Sequence, residues 1–356
     1  MTMSAAEIRK SNFPEGVSAR RPKIGFIGVG WIGAQRMQAV ASSNAAEIVA
    51  LTDSSPEAAR AAAAHAPGAQ IAHDLESLLG FDLDGVVIAT PTALHAAQAI
   101  SCLGSGMAVF CQKPLGRSAA ETMQVITAAR SSDRLLEVDM SYRHVRSFAL
   151  IKEVAQSGAI GEIYACDLVF HNAYGPDKAW YYDRRLSGGG CVIDLGIHLV
   201  DLALWMLDFP AVETVSSRRF AQGKALAGGD GALEDYAVAR VDFFTGASTT
   251  LACSWHLPAG QDAVIRAAFY GTRGGLAVSN VNGSFYDFRA ERYHGTAKEV
   301  LDDAPDAWGG RALSDWIARL GAQPNYDPAI ETTQAVAAVI DAIYGREQTF
   351  KMEPRQ

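Results

Sequence analysis

The hydrophobic pattern of this chain has two textures, and it changes near residue 141. From Pro22 onward, short apolar runs alternate with stretches of helical periodicity. Lys23 to Gly28 is apolar and ends in glycine, Trp31 to Ser43 is helix-like, and Glu47 to Thr52 is again strand-like. Ser55 to His65 is Ala-rich, with Ser54 or Ser55 as N-cap before Pro56. The alternation continues through strand Asp84 to Thr90, helix Ala93 to Leu103, strand Met107 to Cys111, helix Ser118 to Arg130 and strand Leu135 to Met140. Strands that are apolar throughout have both faces covered, so residues 23–141 predict a parallel sheet of βαβ units.

Beyond residue 141 the period shifts. A helix over Ser147 to Gln156 leads through Gly158 and Gly161 into the strand Glu162 to His171. A loop rich in Tyr, Trp and Arg follows, then a helix from Cys191 to Leu207. Val212 to Phe220, Tyr236 to Phe244, Ser248 to Trp255 and Ala263 to Tyr270 alternate with period 2, with turn signals such as Gly229-Asp230-Gly231, Gly246 and Gly274-Gly275. Consecutive half-buried strands predict an open, mainly antiparallel sheet. Helices over Ala307 to Leu320 and Pro328 to Tyr344 close the chain. The expected organisation is a flexible N-terminal arm over 1–21, an α/β Rossmann domain over 22–141, and an α+β domain over 142–356.

Composition agrees with two soluble domains: 356 residues, 49% apolar and 20% charged. Lys plus Arg number 31 and Asp plus Glu 39, a net charge of -8, and no basic block forms a phosphate-gripping face, so no nucleic-acid partner is expected. The first residues show no apolar core of the length a secretory signal needs, and no uncharged apolar run comes near the ~18 residues of a membrane span, so neither is expected. Five scattered cysteines without a C-x-x-C pair predict neither disulfides nor a metal site, and a cytoplasmic setting.

Three motifs carry chemistry. Gly28-Val29-Gly30-Trp31-Ile32-Gly33 is G-x-G-x-x-G between a strand and a helix, with Asp53 at the end of the next strand. Gly28 makes the tight turn, Gly30 admits a pyrophosphate, and Gly33 lets helix and strand approach. The helix start at Trp31 and Ile32 offers free N–H groups, and Asp53 accepts from the adenosine ribose. A carboxylate there, followed by Ser54 and Ser55, favours NAD over NADP. Second, Gln112-Lys113-Pro114 ends the fourth strand of this half, where ligands of open α/β sheets bind. Third, Gly188-Gly189-Gly190 precedes Asp194 and His198, four apart in a helical stretch and set among Val, Ile and Leu. A carboxylate on the same face supports a His that takes a proton. Asp201 either orients His198 or bonds within the fold.

These motifs resemble the Gfo/Idh/MocA oxidoreductases, the group of glucose–fructose oxidoreductase and inositol dehydrogenase. The resemblance covers roughly residues 22–350. It is carried by the glycine fingerprint, Ala89-Thr90-Pro91 with His95, Lys113-Pro114, Tyr142-Arg143, Gly158-x-x-Gly161, and the G-G-G-x-x-x-D-x-x-x-H run ending at His198. It implies that His198 is the general base, that Lys113 polarises the reacting oxygen, and that Asp194 supports both. It implies a cofactor site including Thr90, Pro91, His95, Gln112 and Lys113, and a homodimer or homotetramer paired through the C-terminal sheet. The family commonly reads Glu-Lys-Pro where this chain has Gln112, which removes a charge beside Lys113.

The aromatic loop suits a small polyol or sugar. Its His171, Trp180 and Tyr181, with Tyr142, Arg143, Asp194 and His198, are the expected substrate-binding set. Arg143 binds an anionic group, or pins Asp194 or the junction between the halves. The expected activity is hydride transfer between NAD (or NADP) and a secondary hydroxyl of a sugar, sugar acid or cyclitol. The alternatives are an aldose–aldose oxidoreductase with tightly held cofactor and a catalytically silent dinucleotide-binding regulator.

Overall fold

The computed structural model describes residues 20–227 and 232–346. The arm over 1–21 therefore lies almost wholly, and the turn Gly229-Asp230-Gly231 wholly, outside the described residues. The first half runs β1 (Lys23–Ile27), α1 (Trp31–Ser43), β2 (Glu47–Thr52), α2 (Pro56–Ala63), β3 (Gln70–Ile71), α3 (Leu75–Leu79), β4 (Gly85–Ile88), α4 (Thr92–Gly104), β5 (Ala108–Gln112), α5 (Ala119–Ser132) and β6 (Leu136–Asp139). Short β3 and α3 carry too little periodicity to be read from sequence. All strand pairs are parallel, in the order β3-β2-β1-β4-β5-β6. The order reverses between β1 and β4, which opens a crevice at the strands' carboxyl ends. Local chemistry sets the helix starts: Ser55 caps α2 by accepting from Ala58 N with Pro56 behind it, and Ser118 caps α5 by accepting from Glu121 N.

The second half follows with α6 (Arg146–Gln156), β7 (Ile163–Asn172), α7 (Arg184–Ser187), a π-helical turn (Val192–Gly196), α8 (Ile197–Met206), β8 (Val212–Ala221), β9 (Lys224–Ala225), β10 (Tyr236–Phe243), β11 (Ser248–Ser254), β12 (Ala263–Gly271), β13 (Gly274–Asn280), β14 (Phe288–His294), β15 (Ala297–Asp302), α9 (Arg311–Ala322) and α10 (Thr332–Tyr344). Its nine strands lie in the order β15-β14-β13-β12-β7-β11-β10-β8-β9. The pairs are antiparallel except β7 with β11, which run parallel at the centre of the sheet. On β10, Ala237, Ala239, Val241 and Phe243 face the core, while Arg240 points to solvent, as do Thr250 and Asp167 on neighbouring strands. One sheet face is therefore packed and the other open.

One continuous apolar cluster runs from beneath the first sheet (Val86, Ile88, Val109) to the inner face of the second (Leu168, Phe170, Phe269). The stretch Arg184–Met206 is long and apolar enough to cross a membrane by length and composition alone, but it carries Asp194 and Asp201 and most of it is buried in this core.

A separate cluster lies on the other face of the first sheet, and its composition departs from a division at residue 141. Ala312, Leu313, Trp316, Ile317 and Leu320 of α9 pack there against Ile24, Phe26 and Phe110. Trp316 is fully buried, 5.8 Å from the Phe110 ring. A Cβ on Gly85 would stand 2.7 Å from its indole, so that glycine makes room for it. Trp316→Ala is expected to lower stability by about 3–5 kcal/mol in urea unfolding. A loss under ~1 kcal/mol would show that α9 does not complete the first core.

Candidate active site

The three fingerprint glycines are needed for three different reasons. Gly28 has φ +81°, and a Cβ there would meet the Ala89 backbone at 2.7 Å. At Gly33 a Cβ would stand 2.1 Å from Gly28 O, so the helix could not approach the strand. Gly30 faces open space, is exposed, and begins α1 without a side-chain cap. The first-turn amides, beginning at Trp31 and Ile32, therefore meet solvent in a cradle that a larger residue would fill, which fits a dinucleotide pyrophosphate. Asp53 braces this loop, accepting from Val29 N at 2.7 Å and Ser55 N at 2.8 Å. Half-buried at the end of β2, its carboxylate keeps lone pairs for ribose hydroxyls.

Thr90 and Pro91 line the opposite wall, at the end of β4. Thr90 Oγ1 donates to Gln98 Oε1 at 2.6 Å. His95, which sequence reasoning placed among the cofactor contacts, is 1% exposed. Its Nε2 faces Thr90 O and its Nδ1 faces Pro114 O, both at 2.7 Å. Burial lowers its pKa against the opposing pull of the two carbonyls. The neutral ring donates to one of them, and His95 ties two cofactor-side loops together instead of facing a ligand.

Lys113 crosses from the end of β5 to the second half. Its Nζ donates to Asp194 O at 2.6 Å and Oδ1 at 3.0 Å. The other carboxylate oxygen of Asp194 accepts from Trp255 Nε1 at 3.1 Å. Asp194 lies in the π-helical turn, whose wider winding breaks the i, i+4 stacking expected of an α-helix. Both Asp194 oxygens are thus committed to Lys113 and Trp255, not to His198. Among the described residues neither ring nitrogen of His198 has a hydrogen-bond partner. Its ring packs edge-on to Tyr142 at 4.8 Å and against Phe170 at 6.3 Å. Burial first, then the Lys113 charge, hold its pKa well below the usual histidine value. His198 is a neutral imidazole with free nitrogens, the state a general base needs.

Gly189 and Gly190 are explained by Glu234 and its partner Tyr344, which sequence reasoning missed, and Gly188 by its φ of +87°. Glu234 is fully buried; its Oε1 accepts from Gly190 N (2.9 Å), Val192 N (3.1 Å) and Tyr344 OH (2.6 Å). A Cβ on Gly190 would stand 2.0 Å from Glu234 O, and one on Gly189 2.0 Å from Tyr344 OH. The carboxylate thus grips the amino end of the turn that carries Asp194. A lone Glu before a strand has no periodic signature, and only the unexplained glycines hinted that something must come close.

The expected substrate residues separate. Tyr142 is buried, with its hydroxyl pKa raised by burial, and forms a wall beside His198. Arg143 forms a bidentate pair with Asp201, with Nε at 2.9 Å. It thereby pins helix α8 to the segment after β6, and both roles left open for Asp201 and Arg143 resolve into this contact. Tyr181 stacks on Trp180 at 3.8 Å and stands edge-on to Trp255 at 6.5 Å, so the aromatic loop covers the residue that holds Asp194. His171 is not brought to this group. It alternates with Phe170 and so takes the other sheet face, where it bonds Ser254 Oγ at 2.8 Å and stacks on Tyr236.

Comparison with known proteins follows the same two halves. Residues 22–140 match the family described as "Oxidoreductase family, NAD-binding Rossmann fold", and residues 148–277 match "GFO/IDH/MocA C-terminal domain". The D-glucoside 3-dehydrogenase of Escherichia coli K12 is 24% identical, covering 92% of this chain and 95% of its own. An inositol 2-dehydrogenase of Acidothermus cellulolyticus is 29% identical over 73% of this chain and 74% of its own. Among solved structures, levoglucosan dehydrogenase in complex with NADH and L-sorbose superposes with a TM-score of 0.78 at 20% identity, over 90% of this chain and 95% of that one. GenD2 from gentamicin A biosynthesis in complex with NAD gives 0.76 at 23% identity, over 94% and 97%.

The depressed His198 pKa has a thermodynamic consequence. The unfolded chain takes up this proton near pH 6.5, the folded one only at lower pH, so stability is full above about 6.5 and falls as pH drops below it. Melting temperatures from pH 8 to 5 are expected to fall less steeply on the acid side for His198→Asn than for wild type. Equal slopes would mean that His198 is not held neutral.

Proposed function

The chain belongs to the Gfo/Idh/MocA oxidoreductase family and is a nicotinamide-dependent dehydrogenase of sugars or cyclitols; from that premise we propose that it oxidises a secondary hydroxyl of a sugar, sugar acid or cyclitol with NAD preferred over NADP. The observation that carries this reading is the grouping at the carboxyl end of β5: a cationic Lys113 fixed on Asp194, and a neutral His198 with free ring nitrogens. Residues 22–141 serve the cofactor and 142–356 the substrate and partner subunits, with α9 lent back to the first core.

The dinucleotide, when bound, accepts the hydride; Gly28, Gly30, Gly33, the first turn of α1 and Asp53 hold its pyrophosphate and adenosine side, and Thr90, Pro91 and Gln112 the other. Asp53 repels a 2′-phosphate, and Ser54 and Ser55 offer no guanidinium to receive one, which supports the NAD preference. Lys113 spends two of its three N–H bonds on Asp194 and has one left for the substrate oxygen. That bond limits negative charge as His198 removes the hydroxyl proton. Trp255 and Lys113 together fix the direction of the Asp194 carboxylate, so the aspartate's part is to place the lysine. Trp180 and Tyr181 cover this corner and present aromatic faces to sugar C–H groups.

The open outer face of the second sheet supports pairing of two or four copies through it. Five buried, unpaired cysteines fit a reducing, cytoplasmic setting.

Two measurements test this reading. With free NAD and a panel of polyols and aldoses, wild type is expected to produce net NADH, more efficiently than NADPH from NADP. His198→Ala should lower kcat by about 10²–10⁴-fold with NADH affinity nearly unchanged; normal turnover would refute its role as base. Light scattering should give a multiple of the monomer mass, and a monomer at working concentration would contradict pairing through the sheet.

A further inference from the structure

The departure at Gln112 has a counterpart on the neighbouring strand. Gln112 ends β5, Asp139 ends β6, and the two are register partners. Gln112 Nε2 donates to Asp139 Oδ2. Asp139 is fully buried and collects two more donors, Arg36 Nε at 2.8 Å and the Ser141 hydroxyl. Arg36 is also buried, and lies on α1 three residues past Gly33, with its Nη2 3.2 Å from Ser141 Oγ.

A carboxylate paired with a guanidinium only accepts hydrogen bonds. Gln112 must therefore turn its NH₂ toward Asp139, and its Oε1 is left without a partner among the described residues. A Glu at 112 would set two carboxylates in register around one guanidinium, and one of them would have to take a proton or move away. Gln112 and Asp139 are thus a single choice. The negative charge sits one strand away from Lys113, whose only ion pair among the described residues is with Asp194.

We propose that Asp139 is a positioning residue. Anchored by Arg36 on the glycine-loop helix, it locks the Gln112 amide so that Oε1 serves as acceptor for a hydroxyl or amide N–H of the bound dinucleotide, in place of the carboxylate that the family carries at this position. The proposal rests on the cofactor reading above.

The test compares wild type, Gln112→Glu, Asp139→Asn, the double variant and Gln112→Met, by melting temperature without cofactor and by NADH dissociation constant from fluorescence titration. Gln112→Glu is expected to melt lower and to bind NADH about tenfold more weakly or worse. The double variant, with one carboxylate and one amide exchanged across the strands, should melt higher and bind NADH more tightly than Gln112→Glu. Gln112→Met keeps the length but removes both the acceptor and the amide donor to Asp139, and should lose about tenfold in affinity and also melt lower than wild type. A Gln112→Glu variant equal to wild type in both readouts, a double variant no better than Gln112→Glu, or a Met variant binding as tightly as wild type would each overturn the proposal. If Asp139→Asn and the double variant do not fold, the two position-112 variants decide it. Failure of wild type to bind NADH would instead sink the cofactor reading, and the melting temperatures would still judge the Gln112–Asp139 pairing.

Discussion

The cleft depends on one ammonium group. Lys113 leaves the end of β5 and ends on Asp194, in the π turn of the second half. It is a partly buried pair, with side chains 17% and 14% exposed, so its partners must be satisfied on both sides. On the Asp194 side, Trp255 takes the remaining oxygen. Removing one member of a buried pair typically costs about 3–5 kcal/mol, because the other is left uncompensated. The group we propose to polarise a substrate oxygen thus also ties the end of β5 to the π turn of the second half, so replacing it touches chemistry and assembly together.

That tie needs Asp194 to hold still, and the π turn explains how it does. A π-helical winding strains the backbone and persists only where something compensates it. Here the compensation is Glu234, which accepts from two amides and a tyrosine hydroxyl at the amino end of the turn. The widened turn also separates the duties of its two polar residues. Asp194 looks toward the lysine, while His198, one turn on, looks into an aromatic wall that keeps it neutral. A regular α-helix would have placed the two side by side, and a hydrogen bond between them would have raised the histidine's basicity and engaged one of its nitrogens.

Much of this was legible in the chain. The glycine fingerprint, the strands feeding it, Lys113, Asp194 and His198 all lie in short segments whose neighbours announce them. What stayed hidden depends on distant partners. Strands β14 and β15 were not read because charged residues such as Arg289, Glu291 and Lys298 interrupt the alternation, paired as Arg289–Asp303 and Lys298–Glu291 at the sheet edge. The parallel pairing of β7 with β11 depends on a connection through α7, α8 and then β8 to β10, not on either strand's sequence. Trp255, Glu234 and Asp139 act on residues 61, 44 and 27 positions away, and nothing near them in the chain marks that reach. His171 was misplaced because strand alternation, one residue from its end, decides which face a side chain takes.

Helix α9 leaves a last consequence, for the order in which the protein is made. Its tryptophan closes the core behind the first sheet, yet it follows every strand of the second. Domains usually fold as units from the amino end as the chain emerges from the ribosome. Here the nucleotide-holding half stays unsealed on one flank until nearly the whole polypeptide has been synthesised. The half that must first be complete to hold a cofactor is thus among the last to finish, and a prematurely ended chain would expose Ile24, Phe26 and Phe110 to whatever else is being translated nearby.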